Sequence, residues 1–195
     1  IGDSLIATSA NGQWVDQLAV LSGASFVTLR NAGIAGNTST AMLARISTDV
    51  IAYAPVWCIV QATGNDASQS VSVATAINNY KTMIALLLKN NIKPVFTMGA
   101  PNDTTATRDF ILQVNNAMSA WCYSQGIPVL DLYTALVDPT DGTYLAAYTS
   151  DGVHPNSAGV GAAATFNVNL LPQQMTRRPL ALAAGAPARR RRAAG

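Results

Sequence analysis

The chain has 195 residues, room for one α/β domain with a full core and too few for two. Apolar residues make up 49% and charged residues only 11%, against about a quarter charged in an ordinary soluble domain, so Ser, Thr, Asn and Gln must cover much of the surface. No apolar run approaches the roughly 18 residues of a membrane span, and the two cysteines and single histidine are too few and too scattered for a metal cluster.

The net charge of +2 conceals two regions. Arg177, Arg178 and Arg189 to Arg192 supply half of the basic residues. Without them six basic residues face ten aspartates, a net −4. A mildly acidic body argues against a nucleic-acid surface on the folded part. The expected organisation is therefore one domain over residues 1–175, followed by an Arg/Ala/Pro-rich tail over 176–195. That tail is expected to be disordered or a cloning remnant. Every acid is Asp and none is Glu. The uncharged polar surface favours an extracellular setting. Oligomeric state is not encoded in any visible pattern.

Ile1 reads as the last residue of a buried strand, so the chain opens inside an element, which leaves room for a removed leader. Gly2 and Asp3 are turn formers, and Ser4 stands where the strand gives way to a helix over about residues 12–21. A short strand follows at about Ser25 to Leu29, then a glycine-rich turn, Asn31 to Thr38. A helix from about Thr40 to Tyr53 must stop before Pro55. Val56 to Gln61 is a near-continuous apolar run of the kind covered on both faces. It breaks at Thr63-Gly64-Asn65-Asp66. A long helix over about 71–89 is expected to turn Ala74, Ile77, Tyr80, Ile84 and Leu88 inward. Strand 94–98, helix 107–124 (Phe110, Val114, Met118 and Trp121 or Cys122 inward) and strand 128–132 follow. An irregular stretch to Asn156 precedes a last Ala-rich helix to about Leu171. Cys58 and Cys122 read as core thiols, with a single disulfide as the alternative.

Strict alternation of strand and helix predicts α/β with a parallel sheet. Five strands with right-handed crossovers give a three-layer, flavodoxin-like α/β/α domain, strand order 2-1-3-4-5. In that order the loops after the first three strands meet at one rim. Those loops carry Ser4, Gly33 with Gly36, and Asn65.

A serine hydroxyl needs a base within hydrogen-bond reach, and the base needs an orienting partner. His154 is the one histidine. Asp151, three residues earlier, can accept from Nδ1 while Nε2 points outward. Gly152 permits the turn, and Pro155 can open the last helix at its first position. Donors for an oxyanion, worth roughly 3–4 kcal/mol each, are available from the N–H of Ser4, the N–H of Gly36 and the side-chain amide of Asn65. Each feature also has a plain structural reading: a helix cap at Ser4, an incidental loop histidine, a positive-φ turn at the glycines, an Asx-turn at Asn65.

Taken together, Gly2-Asp3-Ser4-Leu5, Asn31 to Thr38, Gly64-Asn65-Asp66 and Asp151-Gly152-Val153-His154 resemble the SGNH hydrolases, also called GDSL esterases and lipases, in the family's order and over Gly2 to about Leu171. Many members carry Asp where Asn37 stands. The resemblance implies Ser4 as nucleophile, His154 as general base and acid, Asp151 as its orienter, and Ser4 N–H, Gly36 N–H and Asn65 as the oxyanion hole. It implies no cofactor and no metal. The reaction it implies is hydrolysis of a small-molecule or glycan ester through an acyl-enzyme, with short acyl chains favoured and carbohydrate O-acetyl esters as one candidate. A thioesterase or lysophospholipase would use the same residues. Two further alternatives are a metal-dependent hydrolase with Asp3, Asp151 and His154 as ligands, and a glycan-binding module without turnover. Tyr148, Ala100, Pro101 and Asn102 are candidates for the mouth of the site.

Overall fold

The computed structural model describes residues 1–7, 14–23 and 30–171. The expected second strand at Ser25 to Leu29 and the tail fall outside that set.

Among the described residues three parallel strands form the sheet in the order β1-β2-β3. They are β1 (Trp57–Gln61), β2 (Lys93–Met98) and β3 (Val129–Asp131). Cys58 lies against Pro94, Val60 against Phe96, and Thr97 against Leu130. Among the described residues this is three strands rather than five: the expected first strand is represented only by its last residue, Ile1, with Gly2 beside it, and the expected second lies outside the described set. The main-chain N of Ile1 donates to the Ile59 carbonyl at 2.6 Å, and the Gln61 N–H donates to the Ile1 carbonyl at 3.1 Å. Gly2 in turn bridges Gly33 in parallel. Spatially the order is Gly33, Gly2, β1, β2, β3, so the predicted 2-1-3-4-5 sequence of neighbours is kept.

Alternation along the strands divides the core between the two faces. Cys58, Val60 and Phe96 point towards helices α2 (Ser39–Asp49), α4 (Val73–Lys89) and α5 (Thr105–Ser124). Trp57, Ile59, Val95 and Leu130 point towards α1 (Trp14–Leu21), α6 (Leu132–Leu136) and α7 (Ser157–Asn167). The result is the three-layer arrangement expected from the sequence. A single-turn helix, α3 (Asn65–Ser68), follows β1. No described helix is long and apolar enough to cross a membrane.

Caps fix where the helices begin. Thr38 accepts from Ala41 N–H at the start of α2, Ser72 from Thr75 N–H at α4, and Asn156 from Ala158 and Gly159 N–H at α7. Pro155 therefore stands ahead of the cap rather than at the first helical position, and it bridges Thr149 instead.

One further correction concerns burial. In α4 the inward face is Ala76, Tyr80, Met83, Ile84 and Leu87, while Ala74 and Leu88 are exposed. Apolar residues run nearly all round this helix. Buried Asn79 settles its rotation by donating to the hydroxyls of Ser39 and Thr40 at 3.0 Å. The cysteines are both buried and both free, on β1 and α5.

Candidate active site

Ser4 sits on a tight turn directly after the Gly2 bridge. The Asp3 carbonyl accepts from the N–H groups of Ile6 and Ala7, which closes one helical turn around Ser4. A side chain at Gly2 would press on Ile6 Cδ1 at 2.8 Å, and one at Gly33 would meet Ala7 Cα at 2.8 Å. Glycines at both bridging positions let the two loops close over the turn.

Across 150 residues of sequence, Ser4 Oγ lies 3.0 Å from His154 Nε2. His154 Nδ1 lies 2.8 Å from Asp151 Oδ2. With the proton on Nδ1 facing the carboxylate, Nε2 is the acceptor for the serine hydroxyl. The other Asp151 oxygen, Oδ1, accepts from the N–H groups of Val153 (2.9 Å) and His154 (2.7 Å). Thr149 Oγ1 donates to the His154 carbonyl at 2.8 Å and accepts from Gly152 N–H at 3.0 Å, which ties the two ends of the turn together. Partial desolvation raises the Asp151 pKa, but the His154 and Val153 N–H groups and the imidazole outweigh it and hold the carboxyl down at about 2.

Behind Ser4 lies a second carboxylate, Asp3, only 3% exposed. Its Oδ1 accepts from Leu5 N–H at 2.9 Å and Gln61 Nε2 at 3.2 Å. Its Oδ2 accepts from the Thr63 hydroxyl and from Asn65 Nδ2 at 3.2 Å. Asn65 Nδ2 also donates to the Asn37 carbonyl at 3.2 Å. Burial raises the Asp3 pKa, against the pull of Thr63 and the Leu5 N–H. A parallel network supports the loop from below. Tyr80 OH donates to Asp66 Oδ2 at 3.4 Å and accepts from Thr63 N–H at 2.9 Å, while Asp66 Oδ1 accepts from the N–H and hydroxyl of Ser39. Arg45 clamps the neighbouring loops: it donates to the carbonyls of Gly2 and Ala32, to Asn37 Oδ1 at 2.7 Å and to Asp49.

A cleft of about 240 Å³ opens over these groups. Ser4, Asn65 and His154 line it, as do Ala100, Pro101 and Asn102. Tyr148 does not; its carbonyl accepts the Asn156 N–H instead. Thr107 and Ile111 of α5 also line the cleft, and a side chain on Gly64 would meet them at 3.1 and 3.2 Å. Among the described residues no Lys or Arg lines the cleft. Gly36 is exposed at a positive-φ turn (+76°), and it is not among the residues that line the cleft. Among the described residues neither the Ser4 nor the Gly36 N–H has a hydrogen-bond acceptor. Asp3, Asp151 and His154 do not converge as a metal-ligand group, and no other described cluster does.

The family model of GDSL-like lipases and acylhydrolases matches residues 1–162. The chain belongs to that family. It is accordingly a carboxylic ester hydrolase. Among solved structures, the GDSL enzyme resembles a protein of Desulfitobacterium hafniense assigned to the lipolytic G-D-S-L family (24% identity, 88% of this chain and 97% of that one, TM-score 0.77). It also resembles a protein of Bacteroides fragilis assigned as an acylhydrolase (24%, 89% and 85%, TM-score 0.75). A third likeness is to a catalytic mutant of an acetylxylan esterase from Geobacillus stearothermophilus (20%, 91% and 94%, TM-score 0.73). At these identities the likeness establishes the fold. No curated protein matches the chain.

Several residues around the site have no signal of their own in the sequence. Thr63, Gln61, Arg45 and Thr149 are each unremarkable polar residues, and their roles come from partners up to 60 positions away. Only their adjacency to the four motif blocks could have flagged them.

Proposed function

We propose that the cleft is the active site of a serine esterase for short acyl esters. The observation that carries this reading is the continuous line from Ser4 Oγ through the His154 ring to Asp151, with bonds of 3.0 and 2.8 Å. In the first step Ser4 attacks the ester carbonyl and His154 Nε2 takes its proton. The imidazolium so formed is stabilised by the Asp151 carboxylate, then returns the proton to the departing alkoxide, leaving an acyl-enzyme. Water, deprotonated by the same nitrogen, attacks the acyl carbon and frees the acid and Ser4. The oxyanion formed in each step is received by the Ser4 N–H and the Asn65 amide, whose residues both line the cleft, whereas Gly36 does not.

The small cleft favours a short acyl group: its volume lies below the roughly 300 Å³ at which drug-sized ligand pockets begin, and Ile111 is among the residues that line it. For the alcohol, the uncharged rim of Ser68, Asn102 and Thr104 suits a neutral polyol, and the likeness to an acetylxylan esterase points the same way. The test is turnover of p-nitrophenyl esters from acetate to octanoate, together with acetate release from an acetylated polysaccharide. Ser4→Ala and His154→Ala should each lower kcat by about 10⁶-fold, and acetate should be the best acyl group. Retention of wild-type rates by Ser4→Ala would remove the assignment.

A further inference from the structure

The geometry points to Asp3 as a positioning residue that aims the Asn65 side-chain amide into the cleft. This rests on the proposed oxyanion role of Asn65. The chain from Asp3 reaches Asn65 twice. Directly, Oδ2 accepts from Nδ2 at 3.2 Å. Indirectly, the Thr63 hydroxyl donates to the same Oδ2 and accepts from the Asn65 main-chain N–H at 3.0 Å. Side chain and backbone of Asn65 are therefore both referred to one buried carboxylate, which itself belongs to the turn that carries Ser4.

The carboxylate also decides which end of the amide faces the cleft region. Asn65 Nδ2 lies between two acceptors, Asp3 Oδ2 and the Asn37 carbonyl. A flipped amide would set its own oxygen against both, with no hydrogen between them. At 3.2 Å both contacts sit at the long end of the N–H···O range. Both amide hydrogens are thus engaged, so an oxyanion in the cleft would be received as a second acceptor sharing one of these long bonds in a three-centre contact. Burial of Asp3 keeps water from competing for these donors.

Asp3→Asn tests the idea because it keeps size and shape while replacing one oxygen with NH2. If its remaining oxygen keeps Leu5 N–H and Gln61 Nε2, its NH2 faces Asn65 Nδ2, a donor against a donor. The expected result is a fall in kcat of about 10- to 100-fold on p-nitrophenyl acetate, with KM within about twofold, as for loss of a contact made in the transition state. The decisive measurement is the double-mutant cycle with Asn65→Ala, which alone should lose about 10²- to 10³-fold in kcat. In the Asn65→Ala background, Asp3→Asn should have no further effect on kcat beyond about twofold. If Asp3→Asn slows both backgrounds equally, Asp3 acts elsewhere and the inference is wrong. If Asn65→Ala keeps the wild-type kcat, the inference also falls, while losses in Ser4→Ala and His154→Ala would leave the nucleophile and base standing. Should Asp3→Asn not fold, Thr63→Val severs the indirect link, and its kcat loss must likewise vanish in Asn65→Ala.

Discussion

Gly152 is the sharpest point at which the backbone of the histidine loop can be perturbed. Its φ is +70°, and a Cβ placed on it would lie 2.6 Å from Asp103 Cγ and 2.8 Å from Asp103 Cβ. Gly152→Ala thus carries two penalties. A left-handed backbone at alanine costs about 1–2 kcal/mol. The Asp103 side chain must also swing away and give up the Tyr144 N–H, now held at 2.9 Å, a loss of about 1.5–3 kcal/mol for a bond to a charged group. The sum is about 2.5–5 kcal/mol, which for a domain of this size lowers Tm by roughly 5–20 °C. If the loop moves instead of Asp103, His154 leaves Ser4, and an ångström of misplacement can cost about 10²-fold in kcat. The assay is thermal melting with kcat on p-nitrophenyl acetate. Gly126→Ala is the control, away from the cleft, with a similar φ of +67° and nothing within 4 Å of the added methyl, so only the backbone penalty applies. In the double variant Asp103→Ala/Gly152→Ala the clash with the carboxyl group is gone and only the Cβ contact remains, so its destabilisation should be less than the sum of the two single changes. Wild-type Tm and kcat in Gly152→Ala, or strict additivity with Asp103→Ala, would refute this account.

The fold and the ends of its strands were legible because they rest on local patterns. Val56 to Gln61 announces a doubly covered strand, and Asp151 to His154 announces its own turn, since Asp151 caps the N–H of the very histidine it orients. What could not be read depends on distant partners. Asp3 looks like a turn former until Gln61, Thr63 and Asn65 arrive 58 to 62 residues later. The face of α4 was misjudged because its apolar residues leave the period ambiguous. The contacts that choose its rotation, Asn79 to Ser39 and Tyr80 to Asp66, join polar groups across 40 and 14 residues. The part of α5 in the cleft was missed for a related reason. Ile111 is one place along from Phe110 in the helical pattern, and only the arrival of Gly64 at the first turns of α5 makes it part of a site.

Both thiols are buried and unpaired, and burial pushes Cys122 up to about 12. The folded enzyme should therefore react negligibly with a thiol reagent at pH 8 and yield two thiols per chain on denaturation; labelling followed by intact mass decides this, and fewer than two would indicate a disulfide. The pH dependence of stability separates the two carboxylates beside Ser4. Asp151 is held at about 2 in the folded protein, below the roughly 3.9 of an unfolded Asp. Its contribution is present above about pH 4 and lost as pH falls through its folded value, so the Tm deficit of Asp151→Asn should shrink between pH 4 and pH 2. Asp3 runs the other way. Its folded pKa is raised, so its contribution is greatest below the unfolded value and declines as pH rises through the folded one. Asp3→Asn does not titrate, so its Tm relative to wild type should improve steadily as pH rises from 3 to 7. A difference that stays constant over that range would mean that Asp3 is no harder to ionise in the folded protein than in the unfolded chain, and that desolvation is not the dominant force on it.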